Sequence, residues 1–273
     1  MLGVFSSHSD WTPQLPVLMY HQVTEESERG RVVRRTNPAY SLTKAQFREQ
    51  MTWLAGMECR TFHLQQLSDG LNDKGKSLVI TFDDGWLDNY TIACPILAEL
   101  GLTATIFVVA GFVGRDGYMN WQQLRELSRH GISIQSHTLT HRPLAELSEP
   151  EIASELVISK KILEDHLGAR IDYVSMPQGV YNRKVLEMAK TAGYRGACTS
   201  EPGFSHEYGQ FQVFKRINVS DRYRLDLFQR IVAMDQLVIL PIMASRTLKN
   251  LARKIIGYDA YRKLYRSRFA IGG

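Results

Sequence analysis

Short apolar runs rich in β-branched and aromatic residues alternate with helical periodicity along most of this chain, each strand-and-helix pair spanning roughly thirty residues. Residues 15–20, 78–82, 103–110, 132–136, 194–199 and 213–219 read as strands. Between them the sequence predicts a helix capped by Thr43 and continuing through Met51 and Leu54. A second runs from 93 to 100 with Gly101 as its stop, and a third from 121 to 130 stopped by Gly131. A fourth starts at Ser148, with Glu151 completing a capping box, and extends to Leu167. Alternation of this kind needs crossover helices between parallel strands. With this many units the expected architecture is α/β, a distorted (β/α) barrel. A chain of 273 residues is long enough to fill one large core. The boundaries expected are a barrel domain over 1–223 and a basic helical extension over 224–273.

Three of the strand-like runs deliver polar residues at their ends, where barrel folds place chemistry. The run 78–82 is followed at once by Asp83-Asp84-Gly85-Trp86. Adjacent side chains on an extended backbone point to opposite sides, so the two carboxylates are expected to do different jobs. The run 132–136 leads into His137-Thr138-Leu139-Thr140-His141. A spacing of four puts two imidazoles on one face of a helical turn, where both reach one ion. Two neutral imidazoles and one carboxylate form a three-ligand set with positions left open for water and substrate. The plainer alternatives are an acidic helix cap and two surface histidines. The run 15–20 delivers His21, for which the plain alternative is a packed strand-end histidine; His63 reads as structural.

Thr81-Phe82-Asp83-Asp84-Gly85 and His137-Thr138-Leu139-Thr140-His141 resemble the first two motifs of the polysaccharide deacetylase family (NodB-like, carbohydrate esterase family four) in order and separation. The resemblance covers roughly residues 14–222 and implies a barrel of the NodB-like type. It also implies that Asp83 is the catalytic base and that Asp84, His137 and His141 hold a divalent metal, usually zinc. Pro16-Val17-Leu18-Met19-Tyr20-His21 resembles the opening of a permuted branch that contains poly-N-acetylglucosamine deacetylases, in which the general acid comes from the first strand. That casts His21 as the acid, with His206 a weaker rival. Residues 173–182 stand where the third motif belongs. Pro177, Gly179, Tyr181 and Asn182 match, Gln178 replaces the usual aromatic, and the Arg that orients the base is not filled. The Gln178 backbone N–H can still serve as an oxyanion donor. The fourth motif is not recognisable.

Charge separates the two ends of the chain. The net charge is +5, yet residues 246–273 carry eight Lys or Arg against Asp259, which leaves −2 for the rest. A near-neutral body argues against nucleic acid as a partner. In the tail, Leu248, Leu251, Ile255 and Ile256 alternate with Lys249, Arg253 and Lys254. That pattern fits either peripheral contact with an anionic membrane or a helix packed on the barrel with a solvated basic face. The apolar run 237–244 contains Pro241 and is too short to span a bilayer. Arg29, Arg31, Arg34 and Arg35 mark a solvated loop that could also meet anionic substrate. Cys59, Cys94 and Cys198 show no paired spacing, and no secretory segment is recognisable at the start, so reduced thiols and a cytoplasmic address, or one on the inner face of the membrane, are expected.

The chemistry expected is hydrolysis of an N-acetylated amino sugar in a polysaccharide or lipid-linked glycan. Two rivals are a deformylase acting on a lipid-linked sugar and a catalytically silent carbohydrate-binding protein.

Overall fold

The computed structural model describes residues 15–25, 40–69, 76–203, 205–208 and 210–256. The Arg-rich stretch over 29–35 and the tail beyond residue 256 lie outside them.

The strands are β1 (Val17–Tyr20), β2 (Gln22–Thr24), β3 (Ser41–Thr43), β4 (Arg60–Thr61), β5 (Ser77–Phe82), β6 (Thr105–Val108), β7 (Ser133–Ser136), β8 (Tyr173–Ser175), β9 (Gly196–Cys198), β10 (His206–Tyr208), β11 (Phe211–Phe214) and β12 (Ile217–Asn218). The α-helices are α1 (Lys44–Gly56), α2 (Leu64–Ser68), α3 (Cys94–Glu99), α4 (Trp121–Arg129), α5 (Glu149–Leu167), α6 (Arg183–Thr191), α7 (Leu225–Val232) and α8 (Gln236–Ile256). The main sheet runs β10-β11-β9-β8-β7-β6-β5-β1-β12, parallel throughout except for the β10–β11 hairpin. Helix starts follow their sequence cues. Thr43 caps α1 as expected and adds a capping box with Gln46, Ser148 forms the expected capping box with Glu151, and Gly168 ends α5 in a left-handed conformation.

The run read as one strand over 213–219 is two. β11 pairs with β9 at one end of the order and β12 with β1 at the other, and only Lys215 and Arg216 separate them. Three Cα steps span at most roughly 11 Å, so the two ends of the sheet must lie side by side. The barrel is therefore closed by the chain itself across a seam with no ladder of hydrogen bonds among the described residues.

Alternation along each strand divides the side chains into two sets. Val17, Val79, Phe107, Tyr173, Cys198 and Phe214 form a small apolar cluster with Leu64 and Leu67 of α2. The opposite faces of the strands join the larger core beneath the helices, including Leu18, Ile80, Ile106, Val174 and Val213. Stepping two or four residues up from the small cluster gives His21, Thr81, Asp83, Ser175 and Arg216. The strands are parallel, so these polar residues gather at one rim. The three cysteines are buried and free.

Candidate active site

Asp83 follows the last residue of β5 and is still tied to the sheet, its N–H donating to the Tyr20 carbonyl at 3.0 Å. Its carboxylate is met by Arg216 in a two-pronged pair, Nη1 to Oδ1 and Nη2 to Oδ2, each 2.7 Å. Nη1 also donates to the Thr81 hydroxyl, Nη2 to the Ser175 hydroxyl and Nε to the Thr199 carbonyl. All five guanidinium N–H groups are thereby used, inside the barrel, by a side chain with no exposed surface. Ser175 donates its own proton to Asp83 Oδ2 at 3.1 Å. Burial alone would raise the Asp83 carboxyl. The charges of Arg216 and His137 and the Arg216 hydrogen bonds outweigh it, and the net direction is down.

The expectation that β8 leaves the base without its Arg is corrected here. The third motif lacks it, and the seam between β11 and β12 supplies it. An Arg inside an apparently continuous strand carried no local mark of that role. Two residues past Phe214 of the inner cluster, its side chain falls on the inward face.

Asp84 sits differently. Its φ of 77° puts it in the left-handed region, so the chain is not extended here and the two carboxylates do not point to opposite sides. His137 Nε2 lies 3.9 Å from Asp83 Oδ2 and 3.4 Å from Asp84 Oδ1. Gly85 continues the turn at φ 78°, and a Cβ there would press on Val108 at 3.3 Å. Trp86 stacks on Tyr118 with centroids 4.4 Å apart, and its indole N–H donates to Asp84 Oδ2 at 2.9 Å. That leaves Oδ1 as the oxygen facing both imidazoles.

His137 is also one step past its strand, its N–H donating to the Val108 carbonyl at 2.8 Å. Nδ1 pairs with the Ser175 carbonyl at 2.8 Å; with the proton on Nδ1 for this bond, Nε2 carries the lone pair toward Asp84. His141 Nε2 is 3.4 Å from the same Oδ1. No helical turn brings the two rings together, contrary to the spacing argument. The segment is a loop with Thr138 and His141 at φ 65° and 62°. It is held by buried Glu155 of α5, whose carboxylate accepts the N–H groups of Leu139 and Thr140 and the Thr140 hydroxyl. Left-handed non-glycine residues cost energy, and their concentration at Asp84, Thr138, His141 and Gln178 marks a rim where surrounding contacts dictate the backbone.

One ligand atom from each of Asp84, His137 and His141 lies within 4.8 Å of the others, the one such cluster among the described residues. The O,N,N donor set and the fixed His137 tautomer fit a divalent metal. Burial lowers His141 to about 4, with the His137 charge adding to the effect, so it is neutral and ready to ligate. Burial would also lower His137, but Asp83 and Asp84 reverse the sign and raise it.

His21 belongs to the same centre. Its proton affinity responds to Asp84, Asp83, Arg216 and His137, although burial dominates and lowers it. Its ring packs on Tyr40 at 4.5 Å, and Nδ1 is buried with no partner among the described residues. His206 lies on exposed β10. Burial lowers it, and its charged neighbours are Lys215 and Glu201, not the aspartate pair. Gln178, at φ 58°, is the exposed residue of the turn after β8, between buried Pro177 and Gly179. His63 bonds Thr103 at 2.7 Å, well outside the cluster.

The profile of the polysaccharide deacetylase family matches residues 70–197. The chain is 32% identical over 211 residues to YxkH of Bacillus subtilis (strain 168), named for the polysaccharide deacetylases, covering 76% of this chain and 72% of that one. It is 26% identical over 212 residues to the poly-beta-1,6-N-acetyl-D-glucosamine N-deacetylase of Staphylococcus aureus (strain MSSA476), 71% of each chain. Its fold matches the Streptococcus pyogenes deacetylase PplD in complex with acetate with a TM-score of 0.72 at 22% identity, over 82% of this chain and 99% of that one.

Proposed function

The chain belongs to the polysaccharide deacetylase family, and from that premise we propose that it hydrolyses the N-acetyl amide of an amino sugar in a glycan chain, releasing acetate and a free amine. The observation that carries the reading is the meeting of Asp84, His137 and His141 at one rim with the Asp83–Arg216 pair immediately behind them.

Asp84, His137 and His141 would hold the metal, for which zinc suits the donor set. When bound, it supplies Lewis acidity at the acyl oxygen and lowers the pKa of water toward neutrality. Asp83 is ionised across the physiological range and takes the proton of the attacking water. Arg216 and Ser175 fix the direction of its carboxylate, so no reorientation is needed during attack. The Gln178 N–H is the candidate donor for the developing oxyanion. His21 gives a proton to the departing amine. Its lowered pKa makes the imidazolium a stronger acid while reducing its population near neutrality.

The test is incubation of zinc-loaded protein with β-1,6-linked N-acetylglucosamine oligomers, following acetate and amine together. Equimolar release of both is expected. Formate release from N-formyl substrates, with no acetate from N-acetyl ones, would transfer the same site to a deformylase.

A further inference from the structure

Helix α8 carries apolar residues on two faces, and the barrel uses one. Val238 and Ile239 are buried, and Ile242 and Met243 pack on the core. The other face presents Leu237, Leu240 and Leu248 at 80%, 57% and 67% exposure, with Pro241 and Ala244 exposed between them. These positions recur at helical spacing and form one stripe. Single exposed leucines need no explanation, but a stripe of them along three turns does.

The barrel-facing side of α8 seats the helix beside the catalytic rim. A Cβ on Gly179 would come 2.8 Å from the Arg246 guanidinium, and one on Gly203 would come 3.4 Å from Met243. Gly179 follows β8 and Gly203 follows β9, so α8 rests on loops at the same end of the barrel as Asp83 and His137. Its corner with α7 is fixed by Asp235, which accepts the Leu237 N–H at 2.9 Å and pairs with Arg230 at 2.8 Å.

Charge selects the occupant. Between residues 236 and 258 there is no Asp or Glu, and beyond Arg246, which turns to the barrel loops, the helix sequence carries Lys249, Arg253 and Lys254. A protein partner would need a matching acidic patch. A bilayer with anionic headgroups offers both the hydrocarbon and the charge at once. Among the described residues no single helix is long and apolar enough to cross a membrane. α7 and the first part of α8 reach that hydropathy only together, across a bend of 91°. That geometry suits a helix lying in the interface plane. We infer that the outer face of α8 docks on an anionic lipid bilayer and holds the catalytic rim beside it. Resting on the deacetylase reading, the glycan reached there is one attached to lipid or emerging at the membrane surface.

The test uses full-length protein and vesicles of phosphatidylglycerol mixed with phosphatidylcholine. Co-sedimentation is expected, weakening at high salt and on pure phosphatidylcholine. The triple variant Leu237→Ser/Leu240→Ser/Leu248→Ser should partition roughly a hundredfold less. Val157→Ser/Ile158→Ser, at the exposed apolar pair of α5, should partition like the parent. Leu237→Ser alone, at a site too exposed to matter for folding, should already weaken binding. Unchanged partition of the triple variant overturns the proposal. So does a parent that ignores vesicles but forms a dimer broken by the triple variant, since the occupant is then a second copy. Binding is read without turnover, so a failure of the deacetylase assay and a failure of docking are separate results.

Discussion

Asp83 and Asp84 are neighbours in sequence and share a 3–4 Å approach to the same imidazole, yet one lies in a closed region and the other in an open one. Around Asp83 every oxygen faces a donor and every Arg216 proton has an acceptor, and the side chain is 4% exposed. Around Asp84 one oxygen is taken by Trp86, the other faces only imidazoles, and exposure rises to 16%. The first set is complete within the protein, and the second offers an O,N,N donor set that could hold an ion. A left-handed turn between consecutive residues produces that division, which sets the proposed base and the proposed metal ligand side by side with separate surroundings.

The largest expected effect separates the two. Asp84→Asn should abolish both zinc uptake and turnover. Asp83→Asn should keep zinc and lose activity by roughly 10²- to 10⁴-fold, the size of a general-base contribution. Zinc stoichiometry and acetate release measured on the same preparations check this. Retention of full activity in Asp84→Asn would remove the contrast altogether.

Arg216→Met should break the closed region from the other side. It leaves the Asp83 carboxylate buried without its partner, which costs on the order of 3–5 kcal/mol. The pH dependence should also change sign. In the parent, Asp83 lies below its ordinary 3.8, so its contribution is present above that value and is lost as pH falls through the lowered folded value. Without Arg216, burial is opposed only by the charges of His137 and His21, and the expected direction is up. Its contribution is then present below the unfolded value and is lost as pH rises through the raised one. Melting temperature between pH 3 and 7 should therefore rise less with pH, or fall, in the variant. The pair Asp83→Leu/Arg216→Met should recover much of the stability and none of the activity.

Much of this centre was legible from local sequence, and the exceptions have a common cause. The apolar run before Asp83, the histidine pair after β7 and the capping residues Thr43 and Ser148 each depend on neighbours within a few positions. Arg216 meets Asp83 across 133 residues, and only closure of the sheet brings them together. A search for a motif-bound Arg could not find it. The sequence offers only a Lys215-Arg216 pair interrupting an apolar strand run, which names neither the buried member nor the acid that answers it. The turn at Asp84 and the loop joining His137 to His141 were likewise hidden. Left-handed backbone at non-glycine residues is imposed by contacts such as those from Glu155. The exposed face of α8 was only half visible, since the sequence shows two apolar faces but not which of them the barrel takes.

On the open side, proton competition gives a gentler test. His137 is raised, because Asp83 and Asp84 outweigh its burial, whereas His141 is lowered to about 4. A ligating imidazole must be neutral, so His137 is the one that has to lose a proton. Zinc affinity should fall as pH drops through the raised His137 value and should be insensitive to His141 until far lower pH. Competition titration with a chromophoric chelator between pH 5 and 8 reads this directly.

The smallest effect concerns the oxygen of Asp84 that the metal does not need. Trp86 binds Oδ2 at 2.9 Å while its ring is held by Tyr118, so the indole fixes which oxygen is offered to the ion. Trp86→Phe keeps an aromatic ring against Tyr118 and removes only the N–H. Loss of a hydrogen bond to a metal-ligating carboxylate weakens binding by roughly 10- to 100-fold. Zinc affinity should drop by about that factor, while turnover at saturating zinc stays close to the parent, because Asp83, Arg216 and His21 are untouched. If turnover at saturating zinc fell as far as affinity, Trp86 would be acting on substrate, and the open region would extend beyond its three ligands to the aromatic pair beside them.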